Sequence, residues 1–351
     1  MTTSLSIPPS NATVDVKILN AGNLHLAASL FMRPVVPGHE NFVIPIYAFL
    51  VEHPAKDKKV LFDLGVRKRL EELSPATSRV LEALRCTADV EKDVATQLTE
   101  GGVNLASVNA IIWSHTHYDH TGDTSTFPGT TELIVGPGTK AHVLPPYPEN
   151  PNGSLLASDL EGRKVTELTS EDFTLTLGNF RAHDYFGDGS FYLVNTPGHC
   201  PGHITALART TPTTFILLGG DTCHHPGQFR PNAAIQRHIP CPSTLLSNLS
   251  AMHFPKHTPE ALTLDSDPEP FLAIAAEPPT VYDDPPTARQ SIKNLGMFDG
   301  SPDVLILLAH DASIQHLLNF FPQKANDWKE RGWKEGEQNV PTFMSMLAMG
   351  A

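Results

Sequence analysis

Residues Ser114–Asp123 read SHTHYDHTGD, directly after the apolar run Val108–Trp113. The run reads as a buried strand, so three histidines and two aspartates crowd the loop that leaves it. A backbone looping past a strand end can aim side chains i, i+2, i+4 and i+5 at one point. His115, His117, Asp119 and His120 have that spacing. Neutral imidazole and carboxylate are the usual donors to zinc, manganese and iron. A solvated polar loop has no need of such density.

Three more donors end apolar runs: His199 closes FYLVNTPGH, Asp221 closes FILLGGD and His310 closes VLILLAH. Any one alone would read as a cap or turn residue. If the strands deliver their tips to one sheet edge, all four ends together define a single metal cluster.

The rest of the 351 residues bounds the class. Hydrophobic residues make up 40% and charged residues 18%, a soluble globular composition, while 31 prolines imply many loops and few long helices. A net charge of −13 argues against a nucleic-acid partner, which calls for basic stripes, and against docking on anionic membranes. Cys86, Cys200, Cys223 and Cys241 form no C-x-x-C pair and no disulfide framework. The N-terminus lacks a basic and an apolar signal region, and no stretch reaches the roughly 18 apolar residues of a membrane span. A cytoplasmic protein is the expectation.

Strands are expected at Val14–Leu19, Phe42–Val51, Lys59–Leu64, Val108–Trp113, Glu132–Val135, Phe173–Leu177, Phe191–Asn195, Ile204–Arg209, Thr214–Leu218 and Val304–Ala309. Pro45 inside the second of these requires an edge or a bulge. Helices are expected from Arg67–Leu73, over Val90–Glu100 and over Thr287–Leu295. The chain reads as one domain, 1–351, with a proline- and histidine-rich insertion at about 225–284 that has room for a helix at Ser243–Leu249. That insertion reads equally as a cover over a cleft and as a solvated excursion. Phe229, Phe254 and Phe271 would line an apolar pocket there or pack the insertion onto the core.

The pattern H-x-H-x-D-H, then His199, Asp221 and His310, resembles the metallo-β-lactamase superfamily. VLFDLG at Val60–Gly65 and NTPGH at Asn195–His199 are similar to its strand-and-turn lead-in and its second ligand loop. The resemblance implies an α/β fold, an αββα sandwich of two mixed sheets with the metals at one rim. It implies two zinc ions, one held by His115, His117 and His199, the other by Asp119, His120 and His310, with Asp221 bridging. His117 stands where flavodiiron relatives carry glutamate, which favours zinc hydrolysis over iron redox chemistry.

Within the superfamily the chain is most similar to the acyl-homoserine-lactone lactonases. The implied reaction is hydrolytic opening of a lactone, with Asp119 handling protons. The partner is a small-molecule lactone or ester. Those lactonases carry a substrate-binding tyrosine three residues after the bridging aspartate, and here that position is His224. His224 can donate the same hydrogen bond or be a polar turn, and Tyr185 or Tyr282 can supply a hydroxyl instead. Two alternatives remain: a thioesterase of this fold, and a non-catalytic metal- or partner-binding protein. β-Lactam hydrolysis is disfavoured, because His-rich enzymes of that kind lack an aspartate bridge. His203 reads as supporting rather than ligating, and His142, His183, His253 and His257 read as surface residues. Asp123 and Asp311 would orient a ligand or occupy a turn, and Cys223 reads as incidental.

Overall fold

In the run Asn41–His53, Tyr47, Phe49 and Val51 alternate with Ile46, Ala48 and Leu50, and all six are buried. A strand apolar on both faces needs a packed layer on each side. The computed structural model, which describes residues 5–35, 40–232 and 269–339, provides both layers. Its strands are β1 (Asp15–Ala27), β2 (Met32–Arg33), β3 (Asn41–His53), β4 (Lys58–Phe62), β5 (Thr87–Asp89), β6 (Ala110–Ile112), β7 (Glu132–Val135), β8 (Val165–Glu167), β9 (Leu175–Leu177), β10 (Phe180–Asp184), β11 (Phe191–Asn195), β12 (Ile204–Arg209), β13 (Phe215–Leu218), β14 (Ala273–Ile274) and β15 (Val304–Leu307). Seven build one mixed sheet, β5-β1-β3-β4-β6-β7-β8, and six a second, β15-β13-β12-β11-β10-β9. The remaining two, β14 and β2, pair with each other.

Side-chain alternation divides the core. Tyr47, Phe49 and Val51 of the first sheet cluster with Ile204, Ala206, Ala208, Ile216 and Leu218 of the second, filling the space between the sheets. Residues of the opposite parity face outward. Those of the first sheet pack with Val94, Ala95 and Leu98 of a helix over Val94–Glu100. Those of the second pack with Ala288, Ile292, Leu295 and Phe298 of a helix over Pro285–Asp299. The result is an αββα sandwich. No helix among the described residues is long and apolar enough to cross a membrane.

Several boundaries differ from the sequence expectation. Arg67–Leu73 contains only a 3-10 turn, Leu70–Glu72. The helix of this region is Pro75–Leu84, started by Ser74, whose side chain accepts from the Thr77 N–H, and by proline in the first turn. The second helix starts at Val94 rather than Val90, because Asp93 accepts from Thr96 N at 2.7 Å and caps it. The strands at Lys59–Leu64 and Val304–Ala309 stop at Phe62 and Leu307, and Phe173–Leu177 shortens to Leu175–Leu177. Pro45 sits at the bulge: the β1–β3 register shifts between Asn20 and Asn23, and Pro45 pairs with Asn23 beyond the reach of β4, whose partners start at Phe49. Ser243–Leu249, Cys241, His253, Phe254 and His257 lie outside the described residues.

The ligand-bearing tips come from facing edges of two sheets, not from one sheet edge as expected. β6 belongs to the first sheet, whereas β11, β13 and β15 belong to the second. β13 runs parallel to β15, and β12 runs antiparallel to both β11 and β13, so the three C-terminal ends point the same way. The edges are tied by Ile204 N donating to Ser114 O at 2.8 Å and Tyr47 N donating to Ala309 O at 3.0 Å.

Gly122 closes the short helix Tyr118–Thr121 that carries Asp119 and His120. Its N–H donates to Gly65 O at 2.9 Å, and Leu64 N donates to His120 O at 2.9 Å, lacing this loop to the exit of β4. At φ +54° a Cβ would lie 2.4 Å from the Leu64 Cβ and 2.9 Å from its carbonyl oxygen. Gly122→Ala is therefore expected to cost more than about 2 kcal/mol, through backbone strain plus collision. Urea unfolding followed by circular dichroism checks this, and an unchanged midpoint contradicts it.

Candidate metal centre

The Asp221 carboxylate stands between two sets of nitrogens. On one side its Oδ2 lies 3.4 Å from His199 Nε2 and 3.7 Å from His115 Nε2. His199 Nε2 is in turn 2.9 Å from His117 Nδ1 and 3.2 Å from His115 Nε2. On the other side Oδ1 lies 3.2 Å from both His120 Nε2 and His310 Nε2. Asp119 Oδ2 closes that side, 3.2 Å from His310 Nε2 and 3.5 Å from His120 Nε2. Two groups thus offer converging donor atoms, His115, His117, His199 and Asp221 in one, Asp119, His120, Asp221 and His310 in the other. Asp221 is the residue common to both.

The donors fit cations better than each other. Asp221 Oδ1 and His120 Nε2 are buried without a hydrogen-bond partner, although they lie 3.2 Å apart. They face a common centre rather than one another. Two imidazole nitrogens 2.9 Å apart are likewise satisfied by one shared ion between them. Neutral imidazoles and carboxylates at this count suit zinc-type coordination.

The far nitrogens are fixed, which sets the ligand tautomers. His310 Nδ1 donates to Pro45 O at 2.9 Å, so Nε2 is the nitrogen turned to the centre. His120 Nδ1 meets Asp63 Oδ2 at 2.8 Å, and His115 Nδ1 meets Ser114 Oγ at 2.9 Å. Asp63 also accepts from Ser114 N at 2.6 Å and Ser114 Oγ at 2.7 Å. The bulge at Pro45 thereby gains a use, since its carbonyl is the one that holds His310.

Charge follows the geometry. Burial alone would lower both His120 and His310, yet the Asp221 and Asp119 carboxylates raise them, His310 to about 10. His115 is lowered by burial and by neighbouring imidazoles, and His199 falls for the same reasons. Asp221 would be raised by burial, but His120, His310 and His224 hold it well below the carboxylate range. Asp119 and Asp221 are thus two buried negative charges that must be balanced, by protonated His120 and His310 or by cations in their place.

His203 supports the centre from behind, as its position suggested. Its Nδ1 donates to Thr196 O at 3.0 Å, leaving Nε2 to accept the Asp221 N–H at 3.0 Å. Burial lowers its pKa to about 3, so it stays neutral. Asp311 and Asp123 orient no ligand. Asp311 is turned to Ser313 N at 2.8 Å, and Asp123 pairs with Arg67 at 2.7 Å. Cys223 is buried in the apolar core and belongs to neither donor group. His142 is exposed, and His183 meets the Asp172 carbonyl oxygen at 3.0 Å.

His224 is no solvated turn. It is buried, stacks on Phe31 with ring centroids 5.1 Å apart, and places Nε2 3.1 Å from Asp221 Oδ2. The Tyr282 hydroxyl, expected as an alternative donor to substrate, does not line the cavity that opens onto the centre and lies 2.9 Å from His224 Nδ1. Tyr185 packs on Phe186 and Phe191 instead. Asp63 and Gln228 were not singled out from the sequence. Asp63 had a signal, an acidic residue near the end of VLFDLG, and it adopts φ +62° there. Gln228 had none.

A cavity of about 380 Å³ opens onto Asp119, His199, Asp221, His224 and His310. Its walls are apolar: Leu24, Leu26, Phe31 and Ile44 on one side, Val80 and Leu84 of the helix Pro75–Leu84 on another. Among the described residues, the insertion contributes Thr280 and Val281, not its phenylalanines. Phe229 is buried in the core, Phe271 packs against it, and neither lines the cavity.

The sequence matches the metallo-beta-lactamase superfamily model over residues 42–266. It is 42% identical to metallo-hydrolase mfmC of Annulohypoxylon moriforme, covering 93% of this chain and 86% of that protein. It is 40% identical to gamma-lactamase FDB1 of Fusarium pseudograminearum, covering 94% and 82% respectively. The fold resembles a B. thuringiensis AiiA mutant with N-decanoyl-L-homoserine bound at its active site, at a TM-score of 0.60 and 18% identity over 89% of this chain and 99% of that one. The chain belongs to the metallo-β-lactamase superfamily and is a metal-dependent hydrolase of that family.

Proposed function

We propose that the chain holds two zinc ions and opens the ring of a small, uncharged lactone bearing an apolar substituent. The observation carrying this reading is the Asp221 carboxylate, with one oxygen toward each donor set, at the floor of an apolar cavity. His115, His117 and His199 would hold one ion, Asp119, His120 and His310 the other, and Asp221 would serve both. Bound zinc supplies an acidified water and a Lewis acid for the carbonyl.

The chain's own residues perform the rest. Asp119 borders the cavity and can take the proton of the attacking water and return it to the ring oxygen as it leaves. His224 places a hydrogen-bonding nitrogen beside Asp221, where it orients the carbonyl. The Leu26, Phe31 and Val80 walls take the substituent and keep bulk water from the reacting carbonyl.

Charge favours a neutral substrate over an anionic thioester. Among the described residues, Arg67 is the one lysine or arginine lining the cavity, and it is bound to Asp123 at 2.7 Å and Asp159 at 2.5 Å. Its charge is thus already matched, rather than open to a substrate carboxylate or phosphate. A second reading, hydrolysis of a γ-lactam, is favoured by the 40% identity to a protein named a gamma-lactamase. It uses the same residues and differs in the leaving atom.

Zinc-loaded protein assayed against alkyl γ-lactones, acyl-homoserine lactones, γ-lactams and acyl-coenzyme A thioesters decides among these. Lactones are expected to lead in kcat/KM, thioesters to lag by at least about 100-fold, and Asp221→Ala to lose about 10³ or more. Thioesters in the lead sink the proposal, and lactams in the lead replace it with the second reading. Asp63→Asn, which weakens the acceptor holding His120 and Ser114, is expected to lower zinc affinity by about 10- to 100-fold. Competition against a chromophoric chelator measures this, and unchanged affinity contradicts it.

A further inference from the structure

Gln228 and Tyr282, behind the cavity, form a directed hydrogen-bond chain that ends on His224 in its wall. Gln228 Oε1 accepts two backbone N–H groups, His224 N at 2.8 Å and His225 N at 3.2 Å. That fixes the amide, because only the oxygen can accept. Gln228 Nε2 must then donate, to Phe31 O at 2.9 Å and to the Tyr282 hydroxyl oxygen at 3.4 Å. Tyr282 accepts from Gln228, and of its described hydrogen-bond partners His224 Nδ1, 2.9 Å away, is the one able to take the hydroxyl proton. His224 Nδ1 is then the acceptor, and the ring proton resides on Nε2, 3.1 Å from Asp221 Oδ2.

The ring is held in plane as well as in tautomer. Phe31 stacks on it at an interplanar angle of 12°, and the His310 ring lies parallel on it at 4°. Tyr282 meets it edge-on at 89°, the orientation in which the hydroxyl reaches the ring nitrogen. Burial raises Tyr282 well above its usual range, so the hydroxyl keeps its proton.

We propose that Tyr282, held by Gln228, is a positioning residue that fixes His224 as the Nε2–H tautomer, so that the N–H beside Asp221 donates to the substrate carbonyl oxygen. This rests on the hydrolytic reading of the site above. It assigns His224 a donor role, not a place among the zinc ligands, because the nitrogen facing the centre carries a proton. The donor strengthens as negative charge develops on the oxygen, so its loss lowers kcat more than it raises KM.

The test has two readouts on zinc-loaded protein. Long-range ¹H–¹⁵N correlation on histidine-labelled protein reads the tautomer without substrate, with His224 identified by its absence in His224→Gln. The expected result is a protonated Nε2 and an unprotonated Nδ1 in the wild type, and a shift toward protonated Nδ1 in Tyr282→Phe. A proton on Nδ1 in the wild type, or an Nε2 bound to zinc, overturns the proposal whatever the substrate proves to be. The second readout is a double-mutant cycle, because glutamine at 224 keeps a donor near the same place and cannot change tautomer. Tyr282→Phe is expected to lower kcat about tenfold in the wild-type background and to have no further effect in His224→Gln. Equal losses in both backgrounds show a merely structural tyrosine. If no lactone is turned over, the cycle is run on whichever panel substrate is hydrolysed, and the spectrum alone still decides the tautomer.

Discussion

The structure is organised around one buried carboxylate. Asp221 is buried, and imidazoles stand around its two oxygens at 3.1 to 3.7 Å. A carboxylate in that position is costly unless positive charge is held near both oxygens. Its placement is backed by His203, whose lone pair takes the Asp221 N–H, and by Gly220, whose φ of +48° turns the chain into the centre. A side chain at Gly220 would press on Ser114 and His203, two residues that themselves fix the centre.

Sheet geometry is subordinate to the same demand. β11, β13 and β15 run in one direction, so His199, Asp221 and His310 leave the second sheet at one end. The first sheet delivers His115, His117, Asp119 and His120 from the loop after β6, and Asp63 at the end of β4 meets them. Neither sheet could build the centre alone. The core between the sheets sets the spacing at which the two edges meet, with the large Phe49, Phe62 and Trp328 packed beside the small Ala206 and Ala208.

Much of this was legible in the residues, for a physical reason. Apolar runs ending in His or Asp mark buried strands that stop at a polar centre, and every one of the seven donors expected from such runs lies in the cluster. Phe42–Val51 was legible as a strand, and its near-continuous apolar run is what burial on both faces demands. The helix Pro75–Leu84 was not announced, because its start, Ser-Pro-Ala-Thr-Ser, has the composition of a turn, and only the cap at Ser74 and the proline after it distinguish it. The supporting shell was the least legible part. Pro45 acts through its carbonyl, which no side-chain pattern encodes, and Gln228 lies 54 residues from the tyrosine it restrains.

Anomalous diffraction above and below the zinc edge, on crystals of protein purified with zinc, tests the central claim most directly. The account predicts two peaks, one on each side of the Asp221 carboxylate, the first among His115, His117 and His199, the second among Asp119, His120 and His310. A single peak, or peaks remote from Asp221, would contradict it.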